Sequence, residues 1–375
     1  MDESELERVS AQVFQKSFKV RKLSCFGCFY QCITLYEIKD GDYAPLFVEG
    51  FHQNLIWDFA GKLEITHPRA MLAIQSLCSQ YGMDIDNTSG AIALAFELYE
   101  KGIIDERDTD GLKLTWGDHK AVIQLIEKMA YAEGFGAILN QGAYRAADAI
   151  GKGADKYAVH IKGQDLAEAI RADKGWALGT VVAPRGGGHL NGAPMTGMMK
   201  ISPEESMAVF GTPYGGEQAT YRGKPKVVYY YELLKSLVDT IGVCYFTSKW
   251  SDLNFLGPEE YADLLGAATG ISFSGDALMA MGRKVHNIEK AFNTLHAGFS
   301  KEDDYPPKRF FEEPVKSGPY KGSIFTQQEW QSMLEEYYIL HGWDRKTGAQ
   351  TEAVLKELDL PFVLEKLKQA KKLPK

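Results

Sequence analysis

Three cysteines within eight residues, Cys25-x2-Cys28-x3-Cys32 in the stretch LSCFGCFYQC, constrain this chain more than any other feature. Offsets of three and seven bring three sulfurs to one side of a helical turn or a tight loop. Three convergent thiolates exceed what a disulfide needs and suit a soft metal site that draws its last ligand from elsewhere. A cubane iron–sulfur cluster takes four thiolates, and the two remaining cysteines, Cys78 and Cys244, are both distant in sequence. A structural zinc would want a second ligand pair, and no later CxxC or HxxxH supplies one. A CxxC redox pair would want a thioredoxin-like βαβ setting, which is absent. Inert buried cysteines are common, but rarely three together.

Five cysteines in 375 residues also argue against a secreted disulfide framework and for a reducing, cytoplasmic setting. The first residues, MDESELERVS, are charged and lack an apolar signal core, and no apolar run approaches a membrane span. A net charge of −8 makes nucleic acid and anionic membrane poor partners. The length allows a full core and two domains.

Apolar spacing predicts helices over 68–81, 91–101, 119–133, 137–149, 226–241, 258–265, 275–295, 327–342, 351–358 and 361–370, most of them ended by glycine. Residues 1–22 read as a polar helix or tail, and 33–66 as short apolar segments among loops. Residues 83–90 read as a polar loop, with Thr88 or Ser89 capping the next helix. No βαβ alternation and no apolar–polar strand pattern stands out. The expected fold class is therefore mainly α: two helical domains, 1–160 and 161–375, with a cofactor site at their interface. Residues 174–196 (KGWALGTVVAPRGGGHLNGAPMT) are dense in glycine and are expected to be irregular, with His189 directly after Gly186-Gly187-Gly188. Two stretches share one plan of helix, glycine, apolar residue, then Asp or Cys: Ser79–Asp84 and Asp239–Cys244. They read as paired loops serving one large ligand. Phe51–Trp57 places His52, Gln53 and Asn54 between large apolar residues, as a pocket wall or a helix with one wet face would.

From Leu23 to Leu358 the chain resembles the C-terminal part of the tungsten-containing aldehyde:ferredoxin oxidoreductases. The resemblance rests on Cys25-x2-Cys28-x3-Cys32, on Asp239-Thr-Ile-Gly242-Val243-Cys244 (similar to DxxGLC) and on Pro184-Arg-Gly-Gly-Gly-His189-Leu190 (similar to PRGxxHL). It also rests on Thr88-Ser89-Gly90 leading into Phe96–Gly102, on Leu114-Thr-Trp-Gly117, and on Tyr337-Tyr338 before Gly342-Trp343-Asp344. It implies a 4Fe–4S cluster on Cys25, Cys28, Cys32 and Cys244, and a tungsten (or molybdenum) bis-pterin. The pterins would be contacted by Ser79, Gly82, Met83 and Asp84 on one side and Asp239, Gly242 and Val243 on the other, with Arg185 among the cofactor-binding residues. His189 matches the histidine beside the metal, expected to move a proton during oxidation of an aldehyde to a carboxylate with ferredoxin as electron acceptor.

Four departures shape the expectation, one being Ala183 before PRGGGHL where the family usually has Asp. Ser79 stands where the family usually has Asp. Gly50-Phe51-His52-Gln53-Asn54 replaces a GPEYE-like stretch, so the catalytic glutamate is missing there and His52 is its candidate substitute. Only about two dozen residues precede Cys25, so the family's N-terminal pterin-embracing domain is expected to come from a separate chain or to be lacking. Alternatives within this frame are the catalytic subunit of an aromatic acyl-CoA (benzoyl-CoA type) reductase, and a cluster-binding electron-transfer subunit. A homo-oligomer is compatible with either.

Overall fold

Helices form where the apolar spacing and the glycine stops predict them. In the computed structural model, which describes residues 3–50, 53–166 and 170–374, the long helices include Pro68–Tyr81, His119–Ala130, Lys224–Ile241, Pro258–Thr269, Gly275–His296, Gln327–His341 and Pro361–Gln369. Each begins at a helix-starting signal. Asp118 accepts from Lys120 and Ala121 N–H, Ser274 accepts from Ala277 N–H, and proline opens the Pro68, Pro258 and Pro361 helices. The expected 137–149 helix is broken at Asn140–Gln141 into Gly136–Leu139 and Gly142–Ile150.

By contact the chain divides into two compact units, Met1–Glu168 and Ala169–Lys375. The core of the first is built from Met71, Leu72, Ile74 and Cys78 of one helix against Ile92, Ala95 and Phe96 of the next, and Leu125 and Ile126 of a third. In the second, Val227, Val228, Tyr231, Leu234, Leu237 and Val238 make the Lys224–Ile241 helix its central buried element.

Four expectations need correction. First, residues 19–49 hold a three-stranded antiparallel sheet, Lys19–Leu23, Ile33–Ile38 and Leu46–Glu49, in that order. The middle strand buries Thr34, Tyr36 and Ile38 and leaves the residues between them half-exposed. The first, KVRKL, is an exposed basic edge strand, the kind of sequence that protects an edge from pairing and reads as a tail. Second, the helix after the first glycine loop starts at Ile85, because Asp84 caps it by accepting from Asn87 N–H at 2.8 Å. Thr88 and Ser89 are buried inside it. Third, Lys174–Val182 is a fully buried helix, capped by Asp173 through Gly175 and Trp176 N–H. Its glycines serve close approach: a Cβ on Gly179 would lie 2.5 Å from the backbone of Ala193. Fourth, residues 56–61 form a π-helical turn after the short Gln53–Leu55 helix, closed by Lys62 N–H to Trp57 O. His52 lies outside the described residues.

Two buried carboxylates knit the first unit. Asp58, in the π turn, meets Lys62 Nζ at 2.6 Å and accepts from Ser89 Oγ at 2.8 Å. Asp165 accepts from Ala143 N–H, at the start of the Gly142–Ile150 helix, at 3.0 Å. Its backbone N–H donates to Asn87 Oδ1 at 3.1 Å, and Gly90 leaves room for its side chain. Burial pushes the Asp165 carboxyl up to about 7, against the pull of the Ala143 N–H. A raised carboxyl pKa means the native state holds the proton more tightly than the unfolded chain does. Its contribution to stability is therefore complete below the unfolded value near 4 and is lost as pH rises past about 7. Asp165→Asn keeps an acceptor for Ala143 and removes the titration. It should flatten the fall of stability between about pH 4 and 7, by on the order of 2–4 kcal/mol at most, in unfolding followed by circular dichroism.

Candidate functional site

The three clustered cysteines lie on the connection between two paired strands. Leu23 and Ile33 form the last rung of the ladder, and residues 24–32 make the loop beyond it. Cys25-Phe26-Gly27-Cys28 is a β-turn closed by Cys28 N–H to Cys25 O at 3.1 Å, with Gly27 in its third position. The Tyr30 N–H donates to Cys28 Sγ at 3.4 Å, an N–H···S bond of the kind that supports a ligating sulfur. None of the five cysteines is in a disulfide; Cys25, Cys32 and Cys244 are exposed and Cys28 is half-buried. Cys78 differs. It is buried in the Pro68–Tyr81 helix, and desolvation pushes its thiol up to about 12, so it is a core thiol rather than an available thiolate. The accessible thiols are thus Cys25, Cys28 and Cys32 in the first unit and, taken by itself, Cys244 in the second.

The two glycine loops share one backbone plan. In the first, Gly82 (φ 66°, ψ 30°) ends the helix; its N–H donates to Ser79 O, and Met83 N–H donates to Cys78 O at 2.8 Å. In the second, Gly242 (φ 74°, ψ 32°) does the same; its N–H donates to Asp239 O, and Val243 N–H donates to Val238 O at 3.0 Å. Both are Schellman turns, which need a left-handed residue and therefore favour glycine. The residue two places on is extended in both, Asp84 at φ −68°, ψ 130° and Cys244 at φ −73°, ψ 132°. Each turn presents an exposed glycine with open space where a Cβ would be, then an apolar residue, then a carboxylate or a thiol.

The carboxylates are oriented by their own helices. Asp84 accepts from both the N–H and the Nδ2 of Asn87. Asp239 is paired with Lys235, one turn back. Ser79, in the position matching Asp239, accepts from Gln75 Nε2 at 3.1 Å.

His189 opens a short 3₁₀ turn, His189–Asn191, and its ring stacks on Trp176 with centroids 5.1 Å apart. The segment carrying it is held at several points. Gly186 N–H donates to Ala183 O, Ala193 N–H donates to His189 O at 3.0 Å, Asn293 Nδ2 donates to Pro184 O, and Trp250 Nε1 donates to Ala193 O at 2.7 Å. Gly192 rests on the Lys224–Ile241 helix: a Cβ there would lie 2.3 Å from Glu232 Cγ. Arg185 is exposed, its guanidinium folded over Gly188. Trp176, Trp250, Asn293 and Glu232 carry no motif, and sequence reading missed them. Their role comes from long-range contacts that only folding makes visible.

Glu232 itself is fully buried. It accepts from Tyr337 Oη at 3.0 Å and meets His341 Nε2 at 3.1 Å. Burial, followed by the neighbouring His286, Arg283 and Lys290, keeps the His341 imidazole pKa well below its usual value.

The donor set and the paired turns fit the groups expected from the sequence. Within the first unit three non-disulfide cysteines share one loop, as iron ligands would, and in each unit a glycine-ended turn leaves backbone and side-chain polar atoms open of the kind that suits pterin edges.

The profile of the family described as aldehyde ferredoxin oxidoreductase, domains 2 and 3, matches residues 2–360. The tungsten-containing aldehyde ferredoxin oxidoreductase of Pyrococcus horikoshii is 33% identical over 359 residues, covering 94% of this chain and 54% of that protein. The aliphatic sulfonate oxidoreductase, WOR-like subunit, of Pyrococcus furiosus is 27% identical over 378 residues, covering 98% and 55%. The chain therefore spans about half the length of these curated relatives. Among solved structures, the active site complex BamBC of benzoyl coenzyme A reductase, in complex with 1,5-dienoyl-CoA, aligns over 97% of this chain and 56% of its own. Its TM-score is 0.78 at 19% identity, a likeness of fold.

Two glycines separate local strain from loop placement. Gly242→Ala meets no neighbouring atom and should cost about 1 kcal/mol from the left-handed backbone alone. Gly179→Ala forces the Ala193 backbone away and should cost more, on the order of 2–3 kcal/mol. It should also weaken the Trp176–His189 stack. Denaturant unfolding with tryptophan fluorescence measures both effects.

Proposed function

The chain belongs to the aldehyde ferredoxin oxidoreductase family, and from that premise we propose that it is the cluster- and pterin-binding part of a tungsten-dependent oxidoreductase. The reaction proposed is oxidation of an aldehyde to a carboxylate, with the electrons passed to ferredoxin. One observation carries the reading: the same Schellman turn ends two helices, one delivering Asp84 and the other Cys244.

When bound, the tungsten–pterin centre supplies the two-electron chemistry and the 4Fe–4S cluster the one-electron relay. The residues of this chain do the rest. Cys25, Cys28, Cys32 and Cys244 hold the cluster. Ser79, Gly82, Met83 and Asp84, with Asp239, Gly242 and Val243, present hydrogen-bonding groups to the pterins. Arg185 contributes a cation on the same segment as His189. His189, half-buried and held flat on Trp176, accepts or returns a proton at a ring nitrogen while the aldehyde carbon is oxidised. Molybdenum is the alternative metal, since dithiolenes bind either. The portion of the relatives' length beyond this chain is supplied by another segment or a separate subunit.

A second reading, reduction of an aromatic acyl-CoA, is favoured by one feature. Residues 50–54, GFHQN, offer no carboxylate where an aldehyde-oxidising site would carry its glutamate, leaving His52 as the candidate group. Turnover of aldehydes against aryl-CoA thioesters, each with a matching electron carrier, separates the two.

The first test is the iron, sulfide, tungsten and molybdenum content of the anaerobically purified protein. About four iron per chain is expected, with a reduced-cluster electron paramagnetic resonance signal that Cys244→Ser abolishes and Cys78→Ser leaves in place. Cluster content that follows Cys78 instead would overturn the ligand assignment. In the complete enzyme, His189→Ala should retain metal yet lose roughly 10²–10⁴-fold in kcat. Unchanged turnover would remove His189 from proton transfer.

A further inference from the structure

The buried group beneath the His189 segment has the composition of a metal site. Glu232, His286 and His341 come from three different helices, Lys224–Ile241, Gly275–His296 and Gln327–His341. All three are fully buried or nearly so, at 0%, 2% and 0% exposed. One ligand atom from each lies within 4.8 Å of the other two. Both imidazoles aim Nε2 at the same carboxylate oxygen, Glu232 Oε2, His341 at 3.1 Å and His286 at 3.8 Å. The second distance is beyond hydrogen-bond range. Ligand atoms around one divalent ion at about 2.0–2.2 Å stand about 3.0–3.6 Å apart. The two nitrogen–oxygen separations are close to that range, and the two imidazole nitrogens, within 4.8 Å of one another, would draw together by up to about an ångström to seat an ion.

The surroundings are those of a supported site. Tyr337 Oη donates to the other carboxylate oxygen, Oε1, at 3.0 Å, and Glu289 Oε2 stands 4.0 Å from the second nitrogen of His286. The tyrosine hydrogen bond is the kind that orients a ligating carboxylate, and Glu289 sets a negative charge near His286 without a hydrogen bond to it. His341 stacks on both His286 and Trp343, with centroids 5.0 and 4.3 Å away, so the rings have little freedom to turn. The nearby cations have partners of their own: Arg283 with Glu357 at 2.6 Å and Lys290 with Asp304 at 3.6 Å.

We propose that Glu232, His286 and His341 bind one divalent transition-metal ion of the zinc class, a structural site that staples three helices of the second unit. Two imidazoles and a carboxylate, with water in the remaining position, form a borderline donor set suited to Zn²⁺, Fe²⁺ or Co²⁺ and poorly suited to Mg²⁺ or Ca²⁺. Because Gly192 rests on Glu232, the ion also fixes the floor under the segment that carries His189. The site uses no cysteine and stands or falls independently of the iron–sulfur assignment.

Cobalt is the probe. The 375-residue chain carrying Cys25→Ser, Cys28→Ser, Cys32→Ser and Cys244→Ser is produced in cobalt-supplemented medium, so that the buried site fills during folding. One cobalt per chain is expected, with visible ligand-field bands of low-coordinate Co²⁺ and no thiolate charge transfer. Glu232→Gln and His286→Asn in that background should lose at least nine-tenths of the cobalt while keeping the far-ultraviolet circular dichroism of a folded helical protein. A folded parent that holds no cobalt would overturn the proposal, as would cobalt that persists in both variants. Should the variants not fold, X-ray absorption of the parent decides. Nitrogen and oxygen ligands with the outer-shell scattering of two imidazoles support the site, and a shell of water-like oxygens alone sinks it.

Discussion

Where two buried helices stop determines what the candidate site can offer. Pro68–Tyr81 and Lys224–Ile241 are each central to the core of their own unit, and each is ended by a left-handed glycine inside a Schellman turn. The turn does two things at once. It satisfies the last carbonyls of the helix, and it aims the next two residues outward in an extended conformation. The buried face of the helix thus fixes where the backbone of Asp84 or Cys244 starts, and Asn87 then orients the Asp84 carboxylate. A loop of the same composition set free of its helix would carry the same chemistry with no fixed address. A site assembled from cofactor edges and backbone atoms requires that address.

The same economy applies to the segment around His189. Its glycines would read as flexibility, yet Ala183 to Ala193 is pinned by hydrogen bonds from Asn293 and Trp250, by the stack on Trp176, and by backbone contact with Gly179. Glycine here is a packing residue: it removes the side chain that would hold two backbones apart. Gly192 against Glu232 is a further instance, and it links the segment to a polar group that has no business in an apolar core unless well supported.

Legibility in the sequence follows from this physics. The long helices could be read because their apolar stripes and glycine stops are local signals. The paired turns could be read because helix, glycine, apolar residue and polar residue all fall within six positions. The strand Ile33–Ile38 was short enough to hide its alternation among loops, and its partner Lys19–Leu23 is exposed on both faces and has no alternation to show. The start of the second helix was misplaced because Asp84, Asn87, Thr88 and Ser89 are all good capping residues. The choice of Asp84 was made by burial of Thr88 and Ser89, which local chemistry does not encode. Lys174–Val182 was hidden because its glycines act through a contact with Ala193 across an intervening loop.

Buried ionisable groups were the least legible part, and they carry the structural logic furthest. Asp58 and Asp165 in the first unit, and Glu232 in the second, each sit where several elements meet, and each is ringed by donors from other segments. Removing a carboxylate from water is costly, and partners that must approach from fixed directions recover that cost only when all the elements are correctly placed. A purely apolar contact at the same point would tolerate sliding. A carboxylate gripped by Lys62 and Ser89, or by Tyr337 and His341, does not. These buried carboxylates therefore help define where the exposed turn after Pro68–Tyr81 and the His189 segment stand, through Asn87 and Gly192.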